Sequence, residues 1–357
     1  MKIFVDVGHP AHVHYLKNTI RILKSRGHTI IITARDKEVT YKLLESLGFE
    51  YYIRESGKRG LFNNFLFLVN TDWQLLKIAK KFQPDIFFSA ASAHMAQVSK
   101  LMNKPYIGFD DTEHAKLNQR FYLPFSDVIL TPECFNKSLG KKQIKVKSYL
   151  ELSYLYPKYF KPDTNIKQKL GIPVTEKLAL LRFIAWEAFH DRDQTGLSME
   201  FKVNLVKELS RYCKVLISSE MKLPDSLKEF EFRFPPEKLH DLIYCSDLYI
   251  GEGATTASEA AILGTPAIYV SNLAVGYCTE QEQIYQLVYN FRNTNGVLQK
   301  ALELIQNSNI KKEAELKSAR LISEHIDLTA FFVWFLENYP QSAKIIKENP
   351  DYQLRFK

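Results

Sequence analysis

Gly251-Glu252-Gly253-Ala254 joins an apolar strand end to a short helix starting near Thr255 and closing at Gly264. Such a turn leaves backbone N–H groups uncovered at the positive end of a helix dipole, where a phosphate can be held without any cationic side chain. Glu259 lies about one turn into that helix. A carboxylate there can accept hydrogen bonds from ribose hydroxyls while a diphosphate sits at the helix start. Gly253, Ala254, Thr255, Thr256 and Glu259 are therefore the candidate contacts to a nucleotide diphosphate, with an ordinary strand-turn-helix bearing a surface Glu as the alternative.

A second group follows the first strand, in Gly8-His9-Pro10-Ala11-His12-Val13-His14. His12 falls in the first turn of the next helix, where the dipole favours the neutral imidazole that a general base requires. His9 sits in the turn and could orient substrate, whereas His14, two residues on, should point elsewhere. The three histidines lack the i, i+4 spacing of a helical zinc pair, so no metal is expected. Asp110 and Asp111, with Glu113 close by, follow another strand end at Tyr106–Phe109. There Asp110 is the candidate to orient a histidine, bind an acceptor hydroxyl or move a proton, and Asp111 is equally well read as a helix N-cap. In the second half Arg182 offers a clamp for a diphosphate, or else a buried partner for Glu187, and His190 a further donor. Ser218, Ser219 and Glu220 end the following strand, and Glu280 and Gln281 follow a later one as weaker candidates to meet the sugar.

These residues need a scaffold that brings strand ends to one edge. Apolar runs of strand length alternate with segments of helical period from the first residue, the pattern of a parallel sheet wound on both sides by helices. Strands are expected at 2–7, 28–33, 50–53, 85–89, 105–109 and 127–131, with helices at 12–26, 37–47, 64–82, 92–102 and 114–121 between them. Residues 139–174 lose the period and become Lys-rich and Pro-punctuated, which marks a domain crossing. The alternation restarts at 177–184, with a helix at 197–211, strands at 214–218 and 230–234, a helix at 236–245, then strands at 247–250 and 266–270 around the phosphate turn. Beyond 279 the chain reads as mainly helical, ending in the apolar stretch Ala330–Leu336, a core helix suited to bracing the first domain. The expected organisation is two Rossmann-like doubly wound α/β domains facing across a cleft, 1–155 and, with the nucleotide turn, 156–325, and a helical segment 326–357 packed back on the first.

At 357 residues, with 46% hydrophobic and 25% charged, the composition is that of an ordinary globular protein of two domains. The formal charge of +8 favours an anionic partner. Lys and Arg are spread widely and no nucleic-acid motif accompanies them, so nucleic acid is not expected. The four cysteines, Cys134, Cys213, Cys245 and Cys278, show no paired spacing, and the opening residues read as a strand, not a signal peptide. The expected setting is cytoplasmic, at the cytoplasmic face of a membrane if the apolar Leu61–Val69 behind Lys58-Arg59 docks on an anionic bilayer.

The two motifs together resemble the two-domain GT-B glycosyltransferases, especially the N-acetylglucosaminyl transferase that completes lipid II. Gly8 to His28 lays on that family's first loop and helix without a gap, with His12 in the place of its catalytic base. His9, Pro10 and Ala11 replace neighbouring glycines of the family. Gly253 to Thr256 and Glu259 match its diphosphate turn and ribose-binding glutamate. Over nearly its full length the chain resembles the domain of unknown function 354 family, through Gly8 to His12, Arg182 to Asp191 and Gly251 to Pro266. The non-hydrolysing UDP-N-acetylglucosamine 2-epimerases are similar in architecture. The resemblance implies a nucleotide sugar, UDP-linked, as substrate in place of any cofactor, a glycan or lipid-linked acceptor, and metal-independent inverting transfer with His12 as base. The epimerase alternative would use Asp110, Glu113 and His190 around the sugar C2.

Overall fold

The computed structural model describes residues 1–37, 39–54, 61–184, 197–232 and 235–357, with backbone only for 61–68. It divides into an amino-terminal unit, Met1–Tyr154 with Ile326–Lys357, and a carboxyl-terminal unit, Leu155–His325.

In the amino-terminal unit seven parallel strands lie in the order β3-β2-β1-β4-β5-β6-β7. They are β1 Lys2–Val7, β2 Thr29–Arg35, β3 Tyr52–Arg54, β4 Ile86–Ala90, β5 Tyr106–Phe109, β6 Val128–Pro132 and β7 Gln143–Val146. The inner strands are apolar on both faces because helices cover both, and every residue of β4 except Ala90 is buried. β7 lies in the stretch expected to be a structureless crossing. Its four residues, Gln-Ile-Lys-Val, are too short to show a period, and pairing with β6 supplies the order instead. The helix Leu328–Glu337 belongs to this unit: Phe332 packs on Phe88 and Phe109 with ring centroids 5.3 and 5.5 Å apart. The Ser153 carbonyl accepts hydrogen bonds from both Asn18 on the first helix and Thr329 on this one.

The carboxyl-terminal unit has five parallel strands in the order β12-β11-β10-β8-β9. These are β8 Leu178–Phe183, β9 Lys214–Ser219, β10 Leu248–Gly251, β11 Ala267–Val270 and β12 Val288–Phe291. β12 is the one strand the structure adds to the mainly helical segment expected beyond residue 279, since a four-residue edge strand has no periodicity to reveal it. Of the strand expected at 230–234, the described residues show one parallel bridge, Ile217 with Glu231, and residues 233 and 234 lie outside them. That bridge stands where the third strand of a Rossmann order would be, beyond β9. In both sheets the order reverses beside the first strand, between β1 and β4 and between β8 and β10. In open α/β sheets that reversal opens a crevice at the strands' carboxyl ends.

Candidate functional site

The phosphate turn sits at the second of these reversals. The helix runs Ala254–Ile262 and starts from Gly253 in extended conformation, without a side-chain cap. Its first amides are thus left with unused donors. Residues 253–256 are half-exposed, and a Cβ added at Gly253 would meet no atom within 4 Å, so the helix start opens onto free space. Gly251 is different, for an added Cβ would stand 2.2 Å from the Tyr249 hydroxyl. At the other end Gly264 takes φ +70°, the left-handed conformation that lets the helix stop and the chain turn into β11.

Glu252 holds the turn in place. Its carboxylate is buried and accepts from the amides of Leu197 and Ile184, at 2.5 and 3.3 Å, while Lys202 Nζ lies 3.5 Å away. The turn after β10 is thereby tied to the end of β8. Glu259 and His240 are 5% and 4% exposed and meet at 2.9 Å, Oε1 to Nε2, so the imidazole fixes the carboxylate. His240 was not visible as a site residue in the sequence, where it is one polar position in the helix Leu239–Cys245.

Arg182 pairs with Glu220 at 2.7 Å and donates to Ser218 Oγ at 3.1 Å, so it lies at the same sheet edge. Glu187 and His190 lie outside the described residues. Ser219 turns its hydroxyl onto Met221, accepting from its amide and donating to its carbonyl. Gln281 is fully buried and donates to Ser258, which places it in the packing between two helices instead of beside a sugar. Glu280, on the same helix, pairs with His325 at 3.6 Å.

In the amino-terminal unit the β1/β4 reversal holds a cavity of about 290 Å³, lined among others by Asp6, His12, Arg35, Arg54, Ser92 and His94. The helix Pro10–Ser25 opens with His9 as its N-cap, the Nδ1 accepting from the Ala11 amide, so His9 serves the helix itself. His12 lies in the first turn, its Nδ1 accepting from the Gly8 amide at 3.3 Å. Burial lowers its pKa to about 4; Asp6 opposes the shift, and Lys37 and Arg54 add to it. The imidazole is therefore neutral at pH 7, and with Nδ1 accepting from Gly8 its proton resides on Nε2. His94 is held differently, by a 2.5 Å contact between its Nδ1 and Asp72 Oδ1.

Asp110 is not among the residues lining this cavity. It is buried, accepting from the Tyr122 hydroxyl at 2.5 Å and the Thr112 amide at 2.9 Å, and burial pushes its pKa up. These bonds make it a tie between its loop and the helix Lys116–Tyr122. Asp111 accepts from the Thr112 hydroxyl, and burial together with Asp110 raises its pKa to about 7. His14 packs on Tyr154, 5.2 Å between centroids. The cavity residues the sequence reading missed, Asp6, Arg35, Arg54 and His94, come from four separate elements, and Asp72, which holds His94, comes from a fifth. Asp6 inside a buried strand, beside a guanidinium from another, is a signal only after folding.

Among the described residues no group of three or more His, Cys, Asp or Glu is arranged to hold a metal ion, and no helix is long and apolar enough to cross a membrane. The chain is 23% identical over 283 residues to the uncharacterized protein MJ0665 of Methanocaldococcus jannaschii, spanning 75% of this chain and 81% of that one. Its fold is similar to that of the UDP-GlcNAc 2-epimerase from Neisseria meningitidis, solved bound to UDP-GlcNAc, with TM-score 0.72, 13% identity and 95% and 100% of the two chains covered. It is also similar to spinosyn rhamnosyltransferase SpnG, solved with spinosyn aglycone, with TM-score 0.65, 13% identity and the same coverage. The fold is the GT-B class, two Rossmann-like α/β domains. A family profile described as protein of unknown function (DUF354) matches residues 1–327, and the chain belongs to that family.

Proposed function

We propose that this protein is a glycosyltransferase, moving a sugar from a nucleotide diphosphate carrier to a glycan or lipid-linked acceptor, without a metal and with inversion. The observation that carries this reading is the uncapped helix start at Gly253, open to space at the sheet reversal, with Glu259 held in position by His240. In the reading, the amides of residues 254–256 bind the diphosphate and stabilise its charge as it departs. Glu259 takes the ribose hydroxyls. A UDP carrier follows from the family resemblance and from the UDP-GlcNAc named for a protein of the same fold.

The acceptor belongs to the amino-terminal cavity, where its hydroxyl must lose a proton as it attacks the anomeric carbon. Two imidazoles line that cavity, and their tautomers divide the work. The proton that Gly8 leaves on Nε2 of His12 makes it a hydrogen-bond donor. Asp72 takes the Nδ1 proton of His94 as a hydrogen bond, which puts the basic lone pair on Nε2. His94 is thus the proton acceptor in this mechanism, and His12 orients the acceptor. This reverses the assignment expected for His12.

A thermal-shift panel of nucleotides and nucleotide sugars tests the donor, since a ligand bound only by the folded state raises the melting temperature. UDP and one UDP-sugar should stabilise the protein and the free nucleosides should not. Incubation with that UDP-sugar and no acceptor then separates the 2-epimerase alternative: a transferase leaves the donor sugar unchanged, whereas an epimerase converts it.

A further inference from the structure

Arg54 is 5% exposed, yet its Nη2 lies 3.5 Å from where a Gly8 Cβ would stand, at the cavity wall. Its Nε faces Asp6 Oδ1 at 3.3 Å. Asp6, 2% exposed, is further held by the Thr33 and Ser92 hydroxyls at 2.8 and 3.2 Å, so its oxygens are already occupied by this chain. Arg35 comes from the end of β2 into the same cavity, and its buried Nε has no hydrogen-bond partner. Burial and the neighbouring Arg54 both work against its charge, and Asp6 relieves only part of that. Two guanidiniums therefore stand near one carboxylate in a half-enclosed space at the strand-order reversal, Arg54 paired with it and Arg35 only within its electrostatic reach.

Holding a second, half-buried cation beside a carboxylate already engaged is unfavourable unless an anion completes the set. Guanidinium groups match phosphate and carboxylate oxygens in two-pronged fashion. The Nε2 proton of His12 adds a neutral donor at the same wall. We propose that this cavity binds an anionic group, a phosphate or a carboxylate carried on the acceptor, with Arg35 and Arg54 as its ligands. This rests on the transferase reading in calling the ligand an acceptor, but the anion site stands on its own geometry.

Binding of glucose 1-phosphate, glucuronate and uncharged glucose to the full chain, by calorimetry at constant ionic strength, tests it. Vesicles of phosphatidylcholine with and without phosphatidic acid form a further arm. At least one of the two anionic sugars or the phosphatidate vesicles should bind saturably, and glucose should not; which of them binds separates a soluble from a lipid-borne phosphate and either from a carboxylate. Arg35→Gln should weaken that binding more than about tenfold while leaving UDP affinity unchanged. Arg54→Gln risks leaving Asp6 buried and unpaired, so Arg54→Lys, which keeps the charge but loses the fork, is the second variant and should also weaken binding. Anion binding undiminished in both variants, or no saturable anion binding in a protein that still binds UDP, overturns the proposal. Loss of UDP binding with anion binding intact counts against the transferase reading and leaves the anion site standing.

Discussion

His12 shows how burial sets the chemistry of a single side chain. Its pKa lies at about 4 in the folded chain against 6.5 for the free residue. The unfolded chain therefore binds the proton more readily, so stability is full above pH 6.5 and falls as pH drops towards 4. Replacing His12 with Asn should flatten the fall of melting temperature over that window, as followed by circular dichroism; an unchanged slope would place the acid sensitivity elsewhere. For catalysis the tautomer matters more than the pKa. His94→Asn and Asp72→Asn should each lower kcat, the first by about a hundredfold or more, as for loss of a general base. His12→Asn should raise KM more than it lowers kcat, and a larger kcat loss in His12→Asn than in His94→Asn would restore His12 as the base. His12 was legible in the sequence through its place after an apolar strand. Its neutral form was expected too, from the helix dipole, but the main cause found, burial, and the smaller effects of Asp6, Lys37 and Arg54 exist only after folding.

The strand-turn-helix from β10 to β11 is the element on which the nucleotide reading turns, and its two acidic residues have opposite duties. Glu252 stands between two glycines, yet it is 2% exposed and ties β10 to β8 through two amides and Lys202. Removing one partner of a buried pair leaves the other uncompensated, so Glu252→Ala should cost about 3–5 kcal/mol in chemical denaturation. Glu252→Ala with Lys202→Met should recover part of that, and a double variant no more stable than the single would refute the pairing. The turn itself was readable because glycines, a helix start and strand ends are local signals. The orienting His240 was hidden, since its link to Glu259 spans nineteen residues and depends on the packing of two helices.

At the scale of the whole molecule, the chain leaves its first unit near Tyr154, builds the second, and returns at Ile326 to complete the first. Long periodic segments and fully apolar strands made the doubly wound pattern legible, while the short edge strands β7 and β12 were missed because pairing, not periodicity, forms them. The returning helix is part of the core: Phe332 fills space between Phe88 and Phe109, and Phe332→Ala should cost about 3–5 kcal/mol and lower the melting temperature. The account as a whole depends on a diphosphate seated at the open helix start. Calorimetric affinities of UDP and uridine for the wild type and for Gly253→Ala test this most directly, because Gly253 has space for a methyl group and its φ of −101° suits alanine. The account predicts UDP binding at least about tenfold tighter than uridine in the wild type, and loss of most of that difference in a Gly253→Ala variant whose melting temperature is unchanged. Equal binding of UDP and uridine by the wild type, or an undiminished preference for UDP in the variant, would contradict it.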